Sequence, residues 1–117
     1  MPLLKVQSSI PTPAPDVVST LLKGLSGKLA QHLNKSEAYV MTSFEGGLPM
    51  TFGGTDAPSC YVEVKSVGTM SALQTQAMSS EFCEHIESEL GVSKNRIYIE
   101  FADAKGAMWG WNGTTFG

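Results

Sequence analysis

The alternation of apolar and polar residues predicts a strand, a helix and a second strand in the first half of the chain. Residues 3–8 are short, apolar and partly alternating, which predicts a strand, and Pro11, Pro13 and Pro15 then interrupt regular structure. Leucines recur three and four residues apart over residues 18–33, which predicts an amphipathic helix of about five turns.

Polar residues mark the ends of this first helix. Asp16 is expected as its N-cap, and Asn34 is expected to end it. Residues 38–44 alternate loosely and predict the second strand.

The second half of the chain repeats this order. Residues 60–67 alternate strictly and predict a third strand, and residues 97–101 predict a fourth. Between them Ser71 and Gln74 form a capping-box pattern that begins a second helix, for which Gly91 is the expected C′ residue. The residues expected on the apolar face of this helix are Leu73, Ala77, Phe82, Ile86 and Leu90.

This order predicts an α/β (α+β) fold in one domain, residues 1–117, made of two βαβ pseudo-repeats at about residues 1–58 and 59–117. Right-handed crossovers then give a four-stranded mixed sheet with both helices on one face. The other face needs cover, and a partner subunit is the simplest cover in so small a domain. The low charged fraction, 16%, agrees with self-association.

Charge and composition exclude several classes of function. The net charge is −3 and the eight cations are dispersed, so neither nucleic-acid nor membrane binding is expected. No signal segment or membrane-length apolar run is present, which predicts a cytoplasmic location, with non-classical export left open. Cys60 and Cys83 form no C-x-x-C motif, and His32 and His85 are isolated, so neither a redox thiol pair, a metal nor another cofactor is expected.

Pro2 is the residue with the most distinctive chemistry. Removal of Met1 would expose a secondary amine at the start of a strand. An unperturbed α-amine has a pKa near 8, and apolar walls or a neighbouring ammonium lower that pKa towards the value that a base needs at neutral pH. Taken alone, Met-Pro is also an ordinary start of a chain, so this interpretation depends on the rest of the sequence.

Several motifs in order along the whole chain resemble the macrophage migration inhibitory factor family of the tautomerase superfamily. They are Met-Pro-Leu-Leu at the start, Asn34-Lys35 with Tyr39, Phe52-Gly53-Gly54-Thr55, Ser66-Val67-Gly68, Arg96-Ile97-Tyr98-Ile99 and the tail Gly110-Trp111-Asn112-Gly113-Thr114-Thr115-Phe116. The tail is the most specific of these motifs. We expect a microbial homologue of the animal cytokine.

The resemblance implies a homotrimer with active sites between subunits and phenylpyruvate or dopachrome tautomerase activity on small aromatic α-keto acids. Pro2 would be the catalytic base. Lys35 would meet the substrate carboxylate, although a lysine at a helix C-terminus also suits the helix dipole. The backbone amide of Val67 would contact the substrate. The other residues implied at the substrate pocket are Tyr39, Tyr98, Glu100, Trp109, Trp111 and Phe116.

Two of these positions depart from the family pattern. Glu100 stands where the family often has asparagine, and its carboxylate would repel anionic substrates and raise the pKa of Pro2. Trp109 replaces a small aliphatic residue at the mouth of the pocket and would narrow it. Weak activity on the usual test substrates is therefore expected.

Three other interpretations remain open. The first is a non-catalytic interaction protein or cytokine mimic, although no sequence feature supports a receptor partner. The second is dehalogenation or decarboxylation on the same scaffold, which relatives carry out with arginines, whereas Arg96 is the single arginine of this chain. The third is a structural βαβ-pair module without a site.

Overall fold

Four strands form one mixed sheet in the computed structural model, which describes residues 1–117. The strands are β1 (Pro2–Ser8), β2 (Met41–Glu45), β3 (Cys60–Val67) and β4 (Ile97–Ala104). Their order across the sheet is β2-β1-β3-β4, with β1 parallel to β2, antiparallel to β3, and β3 parallel to β4. Each half of the chain therefore supplies a parallel pair, and β1 and β3 join the pairs at the centre.

Two helices of 19 residues each cover one face of this sheet, α1 (Pro15–Leu33) and α2 (Ala72–Leu90). The predicted mixed sheet with both helices on one face is confirmed. The tail adds a two-stranded hairpin, β5 (Gly110–Trp111) and β6 (Thr114–Thr115). Single turns of 3₁₀ helix occupy Glu37–Tyr39, Lys94–Arg96 and Gly106–Met108. Neither helix combines the length and apolar character that a membrane crossing requires.

The core lies between the helices and the inward residues of β1 and β3. Its fully buried side chains include Leu4, Val6, Val62, Val64, Leu21, Leu25, Leu29, Met78, Phe82 and Ile86. The leucines of α1 follow the predicted spacing, and β3 has the predicted bounds and alternation. The capping box of Ser71 and Gln74 is also present, as is the left-handed Gly91 at the end of α2.

The structure corrects four local predictions. Helix α1 begins at Pro15, with Ala14 as N-cap, because proline at the first helical position loses no intrahelical hydrogen bond; Asp16 therefore lies in the first turn. Strand β2 begins only at Met41, since the preceding residues form a 3₁₀ turn capped by the hydroxyl of Ser36. Strand β4 continues to Ala104, paired along its length with β3.

The fourth correction concerns the buried face of α2. Met78, Phe82 and Ile86, four residues apart, form that face. Leu73 lies five residues before Met78, about 140° around the helix, and is 80% exposed. Ala77 is also exposed, because it precedes the buried Met78 by one residue, which is a rotation of about 100° around the helix axis.

The sheet face opposite the helices is open and polar within one protomer. The Lys5 ammonium lies 3.3 Å from Glu63 Oε2, and the Tyr61 hydroxyl donates to Glu63 Oε1 over 3.1 Å. Burial, followed by this hydrogen bond and the negative charges of Glu63 and Glu100, raises the pKa of Tyr61 to about 12. Salt bridges and hydrogen bonds thus replace apolar packing on this face.

Substitution of one buried and one exposed leucine tests the placement of the core. Leu25→Ala is expected to lower the free energy of unfolding by about 2–5 kcal/mol, since it leaves a cavity under a fully buried side chain. The matched change Leu73→Ala at an exposed position is expected to alter it by less than about 0.5 kcal/mol. Urea denaturation at one fixed protein concentration measures both, and equal losses would contradict this core.

Candidate active site at the start of the chain

The end of helix α1 directs Lys35 towards the end of strand β3. Asn34 adopts the left-handed conformation, with φ 53°, in which asparagine is tolerated at a helix end. The chain therefore reverses, and the Lys35 amide donates to the Ala30 carbonyl over 3.0 Å. The Lys35 ammonium then donates to Ser66 Oγ over 2.7 Å and to the carbonyl of Val67. These contacts place a positive charge beside the last residues of β3.

The start of the chain lies at the same point. Pro2 is fully buried and pairs across the sheet with Ser66, the residue that binds Lys35. Burial, and then the positive charge of Lys35, lower the pKa of the Met1 amine. A terminal amine and a lysine ammonium thus share one site, which favours the neutral form of the amine.

Aromatic side chains line the cleft around these two nitrogen groups. Tyr39 meets Trp111 edge to face at 5.5 Å between ring centroids, and Trp111 stacks on Phe116 at 6.1 Å. A cavity of about 350 Å³ is lined by Met1, Lys35, Tyr39, Val67, Trp111 and Phe116. A second cavity of about 280 Å³ includes Pro2 and Trp109 in its lining. Met1, Tyr39 and Trp111 line both cavities.

The tail hairpin places Trp111 and Phe116 beside the start of the chain. Asn112 and Gly113 both have positive φ, 52° and 81°, as tight hairpin turns between twisted strands require. The Phe116 amide donates to the carbonyls of Gly106 and Trp109, over 3.0 and 3.2 Å. Backbone hydrogen bonds therefore fix the position of the tail.

The structure brings most of the predicted site residues together, but separates two of them from Pro2. Tyr98 pairs with Tyr61 of β3, five residues from Ser66, which places it about 17 Å along the sheet from Pro2. Glu100 pairs with Glu63, three residues from Ser66. Both side chains are exposed, so they do not belong to the cleft of their own protomer.

Tyr98 instead packs against a loop that Arg96 organises. The ring of Tyr98 lies 4.8 Å from that of Phe52, and the guanidinium of Arg96 lies 5.3 Å from the centre of the Phe52 ring. The guanidinium also donates to the carbonyls of Phe52, Thr55, Ala57 and Pro58. The guanidinium of Arg96 therefore binds the backbone of this loop and does not belong to the site around Pro2.

The motifs contain Ser66 and Arg96, but sequence reasoning did not predict what either side chain contacts. A pattern did mark Ser66, because it follows Val62 and Val64 on the inward, otherwise apolar face of β3. For Arg96 no local pattern existed, since its four acceptors lie 38 to 44 residues away along the chain.

Comparison with known proteins agrees with this geometry. The family profile described as macrophage migration inhibitory factor (MIF) matches residues 1–117. The macrophage migration inhibitory factor homolog of Trichuris trichiura is 34% identical over 116 residues, 99% of this chain and 100% of that protein. The homolog of Brugia malayi is 33% identical over 117 residues, which is the full length of both chains.

Solved structures show the same relationship. The crystal structure of the macrophage migration inhibitory factor homologue from Prochlorococcus marinus superposes with a TM-score of 0.93 at 50% identity, covering 98% of this chain and 99% of that one. For MIF2 of Leishmania major the TM-score is 0.90 at 31% identity, covering 99% and 97%.

The sheet, the two helices and the site at the chain start define a protein with the fold of the tautomerase superfamily. Within that class, the chain belongs to the macrophage migration inhibitory factor family, as its motifs predict. Microbial homologues stand beside the animal ones among its relatives.

Removal of the lysine charge tests the electrostatics of the site without reference to activity. In protein whose intact mass shows that Met1 is retained, Lys35→Ala is expected to raise the pKa of the Met1 amine, because a neighbouring ammonium disfavours a second positive charge. The pKa remains below 8, since burial is the larger cause of its depression. NMR titration of the labelled terminal amine measures the change.

Lys23→Ala is a suitable control, because Lys23 is an exposed lysine in the middle of α1. An amine pKa that moves equally in both variants would contradict a specific effect of Lys35.

Proposed function

We propose that this protein, once Met1 has been removed, is a keto–enol tautomerase in which the amine of Pro2 is the general base. The observation that carries the proposal is the meeting of the chain start and the Lys35 ammonium in a cleft walled by Tyr39, Trp111 and Phe116. A small aromatic α-keto acid such as phenylpyruvate matches each part of this cleft. Its carboxylate suits the Lys35 ammonium, its proton-exchanging carbon suits the Pro2 amine, and its ring suits the aromatic walls.

Removal of Met1 changes the chemistry of the Pro2 nitrogen. In the Met-Pro peptide bond this nitrogen is an amide without basicity, whereas at a chain start it is a secondary amine. An ordinary α-amine is about one-tenth neutral at pH 7, because its pKa is near 8. The burial and the Lys35 charge that lower the pKa of the Met1 amine act at the same end of β1, so they favour a neutral Pro2 amine as well.

The proposed reaction is a pair of proton transfers. The Pro2 nitrogen takes the proton of the enol hydroxyl, the C–O bond gains double-bond character, and the proton returns to the neighbouring carbon to give the ketone. Lys35 binds the carboxylate with the N–H that Ser66 and Val67 leave free, and the Val67 amide gives a second contact. Since no electrons are exchanged with another molecule, the cycle requires no cofactor.

A homotrimer completes this proposal. Within one protomer, β2 and β4 are the edge strands of the sheet, each without a partner on its outer side, and the polar sheet face is open. Pairing of these edges between copies covers the face and brings Tyr98 and Glu100 of one copy towards the Pro2 cleft of the next. Glu100 then favours a substrate that offers a hydrogen-bond donor, such as a phenol, over one with a second negative charge, and Trp109 limits its size.

The base is tested by Pro2→Gly, which still permits Met1 removal but leaves a primary amine in place of the proline amine. Phenylpyruvate enol–keto conversion is expected to fall by about 100-fold or more in kcat/KM, because the positioned base is lost. Intact mass must first confirm that Met1 is absent from both proteins. No conversion by correctly processed wild-type protein would contradict the proposal and favour an interaction protein of the same family.

Subunit mixing tests the shared site. Tyr98→Ala and Pro2→Gly proteins are each expected to be nearly inactive. Co-refolding them in equal amounts is expected to restore about a quarter of the wild-type sites. In these sites the Tyr98→Ala chain supplies Pro2 and the neighbouring Pro2→Gly chain supplies Tyr98. Light scattering on each sample checks that it is a trimer. Absence of any recovery in mixed trimers would contradict a site between subunits.

A further inference from the structure

Ser66 is a buried hydroxyl on an apolar surface. It is 1% exposed, and the residues two and four positions before it on the same face of β3 are the core valines Val64 and Val62. A hydroxyl removed from water in this way destabilises the fold unless it is hydrogen-bonded. Packing alone therefore does not explain a serine at this position, whereas its hydrogen bonds do.

The partners of Ser66 belong to the candidate site. Its oxygen accepts a hydrogen bond from the Lys35 ammonium over 2.7 Å, and its own O–H lies 3.4 Å from the carbonyl of Val67. That carbonyl is the second acceptor of the Lys35 ammonium. Two neighbouring acceptors thus hold the ammonium, and one of its three N–H groups is left for a ligand.

The register of β1 and β3 places Ser66, and with it the Lys35 ammonium, beside Pro2. Ser66 lies directly opposite Pro2, and both side chains point to the helix-covered face of the sheet. A lysine side chain is long and flexible, so the effect of its charge on a neighbouring group depends on how close to that group the ammonium is held. Ser66, together with the Val67 carbonyl, holds the Lys35 ammonium near the first residues of the chain.

We propose that Ser66 is a positioning residue, which acts through Lys35 to set both substrate carboxylate binding and the basicity of Pro2. This inference rests on the proposed tautomerase function. Within one protomer, the titratable groups that face the chain start are the Lys35 ammonium and the phenol of Tyr39, and Ser66 contacts the first of them. In the proposed trimer, Tyr98 and Glu100 of the next copy join them, and neither contacts Ser66 within its own protomer.

Ser66→Ala tests the proposal, with Ser8→Ala as the matched control. Ser8 is equally buried, on β1, and its hydroxyl donates to the Ser59 carbonyl at the other end of the β1–β3 pair. In Met1-free protein, Ser66→Ala is expected to lower kcat/KM for phenylpyruvate about tenfold, mainly through KM, since one hydrogen bond to a charged group is lost. Ser8→Ala is expected to leave kcat/KM unchanged.

The pH dependence separates positioning from a general loss of structure. When Lys35 is less well fixed, the pKa of the Pro2 amine is expected to rise, so the acid limb of the kcat/KM profile moves to higher pH in Ser66→Ala. Ser66→Thr keeps the hydroxyl and is expected to restore the wild-type profile. In the Lys35→Ala background, Ser66→Ala is expected to have no further effect, because its only route of action is absent.

Two results would overturn the proposal. One is an effect of Ser66→Ala that persists at full size in the Lys35→Ala background, and the other is an amine pKa that stays the same in Ser66→Ala and wild type. NMR titration of proline-labelled, Met1-free protein measures this pKa without turnover. Inactive wild-type protein would therefore contradict the tautomerase proposal, while the titration still decides whether Ser66 positions Lys35.

Discussion

The antiparallel pairing of β1 with β3 is the contact on which the rest of this structure depends. It joins the two parallel strand pairs into one sheet, supplies the apolar floor of the core and sets Pro2 opposite Ser66. A shift of one residue would turn Leu4 and Val6 to the polar face and Lys5 into the core. The register that keeps the core dry is therefore the register that places the chain start beside Lys35.

The elements and their packing were largely predictable, because they depend on local periodicity. The leucines of α1, the alternation of β3 and the caps at Ser71 and Gly91 are short-range patterns, and the structure has all of them. Phe82 and Ile86 were predicted on the buried face of α2, but the start of that face was not, because Leu73 and Met78 are both apolar and only tertiary contact decides which one is covered. The motifs named most members of the candidate site, but not the hydrogen bond from Lys35 to Ser66, which links residues 31 positions apart.

Placing an amine beside an ammonium opposes stability while it favours the neutral form of the amine. The folded chain holds the pKa of its terminal amine below the ordinary value, whereas the unfolded chain does not. Between the two pKa values the unfolded chain binds more protons, so stability rises with pH across that window and the penalty is fully present below it. The Ser66 and Val67 acceptors offset part of this repulsion, because they satisfy the lysine charge locally.

The tail has a consequence for the order of events during synthesis. Trp111 and Phe116 line the same cleft as Met1, yet they are synthesised 110 and 115 residues after it. At 5–20 residues per second, on the order of ten seconds separate the synthesis of Met1 from the synthesis of Trp111 and Phe116. During this interval the N-terminus of the nascent chain has no tail over it and is open to an aminopeptidase. The tail therefore does not obstruct removal of Met1 during synthesis, whereas in the folded protein Trp111 and Phe116 line the same cleft as Met1.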